Sequence, residues 1–254
     1  MKTALTCEWI KLKSSSTLKI SLIAPFVFLV YTLLTKLSSQ NPNGLTSHVS
    51  IIQTSIYNLW PLILMPIMIV LVINSDYSQE EKALGLQHAK MNNWPLDNIY
   101  LAKFFKYSFL LLISNFMIFL ITVFSNIITT GYSIIWLLVD TTFLMWLASF
   151  PLILISMGIL KYLNPIVTAI GNILIILVSI FFNSLFYNWF WIDPWLYSMR
   201  PETILRINPN GTVLSLNNIY SENLSFIFPL IVVIVIWLII CFIFIKIRFF
   251  LEKK

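Results

Sequence analysis

Six long runs of apolar residues, separated by more polar stretches, dominate the pattern of the chain. Each run approaches or exceeds the roughly 20 residues that a helix needs to cross the hydrocarbon core of a bilayer. Runs such as Ile173–Ile180 and Ile231–Ile240 are almost continuously apolar, whereas strands of a membrane barrel alternate over roughly ten residues. The pattern predicts an all-α integral membrane protein with six transmembrane helices, at about 18–36, 55–74, 104–126, 134–158, 165–186 and 226–247.

The composition excludes the other broad classes of protein. Of the 254 residues, 59% are hydrophobic and 10% are charged, against about 25% charged in an ordinary soluble domain. A soluble fold of this size would lack polar residues for its surface, and a disordered chain needs the opposite balance. Cys7 and Cys241 are the only cysteines, so a disulfide framework is excluded too.

The lysines and arginines predict the orientation, because positive residues concentrate in cytoplasmic loops. With six spans and both termini in the cytoplasm, thirteen of the sixteen basic residues fall on the inner side. The net charge of +6 then lies at the inner face, where attraction to anionic lipid explains it without nucleic-acid binding.

The residues before the first span are typical of a helix lying in the membrane interface. Met1, Leu5, Trp9 and Leu12 share one face of a helix, with lysines at its flanks. We therefore assign residues 1–17 to an amphipathic interfacial helix.

Residues 75–103 form the most polar of the predicted cytoplasmic segments. Ser78 and Glu81 have the spacing of a capping box, which predicts a helix from Ser78 to about Met91. Pro95 is suited to open the next helix, which leads into the third span. Such a helix could dock a soluble partner or could be a solvated turn helix without one.

On the predicted outer side, the loop 187–225 is rich in aromatic residues and suggests an interfacial cap or a re-entrant segment. Trp60, Trp136, Trp189, Trp191 and Trp195 lie near the predicted outer boundary, where tryptophans anchor membrane proteins. The last three are also candidates for substrate contact.

Asp140 is the one acid inside a predicted span, and an intramembrane carboxylate is a functional candidate. Hydrogen bonds from nearby threonines and water in an outer cleft could also satisfy this carboxylate. Pro61, Pro66 and Pro151 predict kinks.

The chain lacks the motifs of catalysis. Its six glycines never form a phosphate-binding loop, so ATP hydrolysis by this chain is not expected. The two histidines fall on opposite sides of the membrane, which excludes a histidine-rich metal site. The sequence predicts a transport or scaffold protein that is not an enzyme and holds no cofactor or metal of its own.

The arrangement resembles the type-2 permeases of ABC exporters. That family's first cytoplasmic loop has an acid, a glycine, a proline and a lysine, which match Glu81, Gly85, Pro95 and Lys103 here, although Leu86 replaces its usual threonine. Within the family, the segment 8–13 followed by Ile23-Ala24-Pro25 is similar to the lantibiotic self-immunity permeases of Gram-positive bacteria.

The resemblance implies a single permease domain over residues 1–254 of the ABC type-2 exporter fold, in the bacterial cell membrane. A separate ATP-binding cassette subunit would bind ATP and magnesium and dock on the coupling residues Tyr77, Glu80, Glu81, Lys82, Gly85 and His88. The family also implies a second permease subunit and, as substrate, a cationic antimicrobial peptide such as a lantibiotic. Export of another amphiphilic drug or lipid-like compound, or a scaffold role without transport, are the alternatives.

Overall fold

The computed structural model describes residues 2–38, 51–83, 85, 91–92, 95–129, 135–186, 191–205 and 227–252, and all regular elements in those ranges are helical. A π-helical segment (Trp60–Leu64) joins the fourth and fifth helices, and a 3-10 helix (Arg200–Leu205) precedes the last one. The helices are α1 (Lys2–Ser14), α2 (Ser16–Ile23), α3 (Phe26–Ser38), α4 (Ile51–Leu59), α5 (Met65–Lys82), α6 (Leu96–Thr129), α7 (Ile135–Ala148), α8 (Phe150–Ile159), α9 (Pro165–Leu185) and α10 (Ile227–Glu252).

Five helical stretches in the described residues are long and apolar enough to cross a membrane. The apolar part of α10, Ile227–Ile243, is shorter than these five stretches. The all-helical fold predicted from the pattern is confirmed, with five candidate spans where six were expected. The five are Ser16–Leu34, Ser55–Lys82, Leu96–Ile127, Ile135–Ile159 and Pro165–Leu185.

Prolines divide several of these stretches. A proline lacks the backbone N–H and clashes with the preceding turn, so it interrupts or distorts a helix. The stretch Ile135–Ile159 is divided into α7 and α8 at Ser149, two residues before Pro151. The π-helical segment begins immediately before Pro61. The distortions expected at these two prolines are confirmed. A further turn at Ala24-Pro25 separates α2 from α3.

The long helix α6 lies at the centre of the bundle. It packs against α1, α2, α3, α4, α5, α7 and α8. It begins at Leu96 directly after Pro95, as the sequence predicts, but eight residues before the expected span at 104. One continuous helix therefore carries Lys103 and Lys106 from the end of the bundle into its core.

Hydrogen bonds between side chains cross the interior. The indole N–H of Trp60 donates to Asn115 Oδ1 at 2.8 Å, and Asn126 Nδ2 donates to Gln53 Oε1 at 3.2 Å. Such bonds between helices each contribute on the order of 1 kcal/mol within a bilayer. Trp60 is fully buried. The lipid anchoring expected for Trp60 is therefore wrong, because the ring is enclosed by the bundle and its N–H has a partner there.

The helix α9 is the least buried of the five candidate spans. It begins with Pro165, and the Asn164 side chain caps it by accepting a hydrogen bond from the backbone N–H of Ile166 at 3.2 Å. Exposed apolar side chains recur along its outer face, including Ile170, Leu174 and Val178. An exposed apolar stripe at four-residue spacing is what lipid contact requires of a helix.

Candidate functional site

A cluster of charged side chains joins three helices at one end of the bundle. The charge network, as we call it, consists of Glu8, Lys11, Asp76, Glu80, Lys103 and Lys106. Its members come from α1, from the last turns of α5 and from the beginning of α6. All are buried except Lys11. Three carboxylates face three ammonium groups, so the network has no net charge and its burial is not penalised as an isolated ion would be.

Asp76 contacts two lysines and a tyrosine of α6. Its Oδ2 lies 3.0 Å from Lys103 Nζ and accepts a hydrogen bond from the Tyr107 hydroxyl at 2.6 Å. Its Oδ1 forms an ion pair with Lys106 Nζ. A carboxylate away from water requires several such partners, because desolvation is costly unless the remaining lone pairs are satisfied. Asp76 holds α5 against α6.

Glu8 and Glu80 connect α1 to the same two helices. Lys11 Nζ donates to Glu8 Oε1 at 2.7 Å and to Glu80 Oε1 at 2.8 Å, and Glu8 also pairs with Lys106. Glu80 Oε2 lies 2.7 Å from Lys103 Nζ. Burial lowers the pKa of Lys11, but its hydrogen bonds to the two glutamates outweigh that effect and raise the pKa above its ordinary value. The contacts close a ring from α1 through α5 to α6.

The spacing of these residues along the chain explains how each helix contributes a pair. Asp76 and Glu80 are four residues apart, Lys103 and Lys106 are three apart, and so are Glu8 and Lys11. Residues at these spacings share one face of a helix. The sequence analysis used these charges to assign topology and did not predict the network. The signal was present in the spacings, but the adjacency of the three helices was not.

The residues predicted to couple to a partner divide into buried and exposed groups. Lys103 Nζ lies 5.0 Å from the centre of the Tyr77 ring, and the Tyr77 hydroxyl donates to Met157 O at 3.3 Å. Glu81 and Lys82 are exposed on the last turn of α5. Gly85 lies beside Glu80, where an added Cβ would be 3.7 Å from the Glu80 backbone oxygen, an ordinary contact. His88 lies outside the described residues.

The helix expected to begin at Ser78 does not begin there. α5 continues without interruption through Ser78 to Lys82, so the capping-box interpretation is wrong. Asp76 and Glu80 face α6 and α1 across this stretch, and their ion pairs stabilise the helix beyond the apolar span. The exposed Glu81 and Lys82 therefore form the last turn of the continuous candidate span Ser55–Lys82.

The three aromatic and aliphatic positions assigned to the interfacial helix differ in their surroundings. Leu12 is buried, Leu5 is half-buried, and Trp9 is exposed but lies with its ring 4.7 Å from that of Phe109, centre to centre. Glu8 is buried on the same helix. The face of α1 that meets the bundle therefore combines Leu12 with the charged Glu8, and the sequence analysis did not anticipate the buried acid.

Three carboxylates of the network could in principle hold a metal ion. Oxygens of Glu8, Asp76 and Glu80 lie within 4.8 Å of one another. Each of these carboxylates already contacts the ammonium group of at least one lysine. A cation would have to displace those groups and leave buried lysines unpaired. The donor set therefore favours an ion-pair network over a metal centre.

A second candidate site is formed by residues 191–205, which we call the inserted segment. These residues pack within the bundle. Leu196, Tyr197 and Met199 are buried against Ile176, midway along α9, and against Leu230 and Ile234 of α10. Its 3-10 helix packs against α7. The segment thus packs against the middle of α9.

Polar contacts fix the inserted segment to α9. Asp193 Oδ2 accepts a hydrogen bond from the Ser179 hydroxyl, and Asp193 Oδ1 accepts one from the backbone N–H of Trp195 at 2.9 Å. The Trp195 indole donates to Asn172 Oδ1 at 3.2 Å. Trp191 is half-buried, and its carbonyl accepts from the Tyr197 hydroxyl at 2.9 Å. Trp189 lies outside the described residues.

Asp140 is exposed on the outer face of α7, between the exposed Trp136 and Phe143. Thr141 and Thr142, the neighbours suggested by the sequence as its partners, donate to carbonyls of their own helix at 2.7 and 2.6 Å. Asp140 is therefore not part of the charge network, and its side chain is exposed at the surface of the bundle.

No family model matches the chain, and comparison with curated proteins and with solved structures finds no match either. The helical fold, its candidate spans and the two polar sites are the observations from which a function is inferred.

Proposed function

We propose that this chain is the membrane permease subunit of an ATP-driven ABC exporter. The observation that carries the proposal is the closed charge network between α1, α5 and α6. A transporter driven from outside the bilayer needs a stiff connection between the docking surface and its spans. Ion pairs that tie one interfacial helix to the ends of two spans supply that connection.

The exposed last turn of α5 is the docking surface in this proposal. Glu81 and Lys82 follow Glu80 directly, so a partner that holds them acts on a helix end fixed to α6 by Asp76 and Glu80. Closure of two ATP-binding subunits would move α5, α1 and α6 together. ATP and magnesium bind to the partner subunit, and this chain contributes no residue to hydrolysis.

The proposed orientation has the charge network on the cytoplasmic side of the bacterial cell membrane. The excess of lysines and arginines at that side supports it. α10 is then the sixth span and both termini are cytoplasmic. A second permease subunit completes the assembly, and the exposed apolar faces of the bundle offer room for it.

The proposed substrate is a lantibiotic or a similar cationic peptide, expelled from the producer's membrane before it forms pores. Asp140 supports this choice because a lone carboxylate on an apolar face attracts a cationic group. Trp191 and Trp195 are the described aromatic candidates for contact. Export of another amphiphile by the same machine, or a scaffold role without transport, are the competing functions.

Co-purification with the ATP-binding subunit tests the docking surface. Glu81→Lys should abolish the complex while the permease still inserts into the membrane, because the charge is reversed on an exposed side chain. Asp97→Lys is the matched control, since Asp97 is also exposed but lies on the first turn of α6. A complex and an activity that survive Glu81→Lys would contradict docking at this turn.

Resistance assays test the substrate. Expression of the permease with its partner subunits in a sensitive cell should protect that cell against at least one cationic peptide of a lantibiotic panel. Asp140→Asn should reduce the protection without loss of membrane insertion. Unchanged sensitivity to every peptide would contradict the self-immunity role, and would leave the docking result to decide whether the chain is an exporter subunit.

A further inference from the structure

The carboxyl group of Glu202 is buried in the inserted segment without a partner. The side chain has no exposed surface, and neither Oε1 nor Oε2 has a hydrogen-bond partner. Its backbone is well fixed, because Glu202 N donates to Met199 O at 3.2 Å and the next hydroxyl, that of Thr203, donates to Arg200 O. The position is thus held by the fold while the acid itself is unsatisfied.

Every other buried acid in the described part of the chain has a polar partner. Glu8, Asp76 and Glu80 contact lysines, and Asp193 accepts from Ser179 and from a backbone N–H. Glu202 differs from all of them. A carboxylate transferred from water to an apolar interior without a partner is so costly that the group becomes neutral by binding a proton.

Among the described residues, no charged group is paired with Glu202. Arg200 is two residues away, and in a 3-10 helix residues two apart point in different directions, since only those three apart share a face. The ion pairs among the described residues do not include Glu202.

The helices that pack against the inserted segment carry few titratable groups in their described residues. α7 contributes Asp140, which is exposed, α9 contributes none, and the apolar part of α10 contributes only Cys241. Within the segment itself, Asp193 and Tyr197 bond to other groups.

We propose that Glu202 is a proton-binding site inside the helix bundle. The carboxyl holds a proton while the inserted segment is packed against α7. When the segment separates from α7 and water reaches the group, the O–H bond breaks, the proton passes to water and the carboxylate remains. Separation of the segment is therefore linked to proton release. This proposal does not depend on the exporter function.

The direction of the pH dependence follows from burial. The inserted segment lies outside the five candidate spans, and burial raises the pKa of the Glu202 carboxyl well above its ordinary value. A group whose pKa is raised in the packed state favours packing most at low pH. As the pH rises above the ordinary glutamate pKa of about 4.3, the separated, ionised state gains until the pH passes the raised value.

Infrared spectroscopy of the purified full-length protein in lipid nanodiscs tests the proton directly. At neutral pH the wild type should show the C=O band of a protonated carboxyl group, and Glu202→Gln should lose that component. Glu81→Gln is the control, because Glu81 is exposed and its removal should leave the band unchanged. A band that is equally strong in the wild type and in Glu202→Gln would overturn the proposal.

Thermal unfolding between about pH 5 and pH 8 is the second measurement. The melting temperature of Glu202→Gln should rise relative to that of the wild type as the pH increases, whereas Glu81→Gln should run parallel to the wild type. Parallel curves for all three proteins would overturn the linkage.

Should Glu202→Gln fail to fold, the wild type labelled with 13C at its glutamate carboxyl groups replaces it. The protonated band must then shift with the label, because Asp140 and Asp193 are unlabelled. A band that does not shift with the label, or no protonated band at neutral pH, counts against Glu202 as the proton site.

Discussion

The charge network and the inserted segment bury carboxylates in opposite ways. In the network, each acid meets at least one lysine from another part of the chain, and Asp76 meets two and a tyrosine. In the inserted segment, Asp193 has only neutral donors and Glu202 has no partner. A paired network resists separation of its helices, whereas an unpaired acid favours the state in which water reaches it. In the functions proposed above, the charge network transmits movement between helices and Glu202 responds to the access of water.

The largest effect is expected at Asp76, which has two ion pairs and also accepts a hydrogen bond from Tyr107. Asp76→Asn leaves Lys103 and Lys106 with less negative charge beside them, and removal of one partner from a buried ion pair costs about 3–5 kcal/mol. We expect a loss of that size in the free energy of unfolding, measured with denaturant in detergent micelles. Asp97→Asn, which removes an exposed acid, should change it by less than about 0.5 kcal/mol.

A double variant tests whether Asp76 and Lys106 stabilise each other. Lys106→Met in the Asp76→Asn background removes an ammonium group that the first change leaves unbalanced, so it should recover part of the lost stability. Additive losses in the cycle of single and double variants would mean that Asp76 and Lys106 do not stabilise each other.

A smaller effect is expected where a neutral hydrogen bond holds the inserted segment. Ser179→Ala removes the hydroxyl that donates to Asp193, and an acceptor left buried without its donor costs about 1–3 kcal/mol. The inserted segment should become more accessible to limited proteolysis, while the charge network is unaffected. Ser184→Ala is the control on the same helix, because its exposed hydroxyl donates only to the carbonyl of Phe181. Equal proteolysis of the two variants would show that Ser179 does not hold the segment.

The smallest effect is expected at the half-exposed member of the network. Lys11→Met leaves Glu8 paired with Lys106 and Glu80 paired with Lys103, so the loss of stability should stay below about 1 kcal/mol. The raised pKa of Lys11 makes this loss constant below its ordinary value of 10.5, and the loss should vanish as the pH rises through the raised pKa. Unfolding curves at several pH values measure it. A loss as large as that of Asp76→Asn would mean that α1 is held mainly by Lys11.

The sequence carried most of the information about the spans. Continuous apolar runs predicted the helices because only a helix satisfies its own backbone in a bilayer. The distortions at Pro61 and Pro151 and the start of α6 after Pro95 were also predictable, since proline acts on its own turn. The extent of α5 was not predictable, because the partners of Asp76 and Glu80 on α1 and α6 are unknown from the sequence, which instead predicted a span ending near residue 74 and a separate helix from Ser78.

The sequence predicted the candidate sites only in part, because it does not show which helices lie next to each other. Tyr77, Glu80 and the exposed pair Glu81 and Lys82 fell in the segment that sequence reasoning selected. Asp76 lies in the same segment, 75–103, but was not selected as a coupling residue, and Lys106 and Tyr107 lie beyond that segment. Glu202 carried no sequence signal at all, because an acid in a loop is ordinarily solvated.

By itself the sequence determined that this is an all-helical chain with helices suited to a membrane, since apolar length and proline position act locally. Only the tertiary structure decided which charges meet and which acid is left alone. Partners on α1, α5 and α6 are separated by up to 98 residues along the chain, and Glu202 loses its water only because the inserted segment packs between helices. Burial and ion pairing depend on which surfaces come together, and no local pattern encodes that.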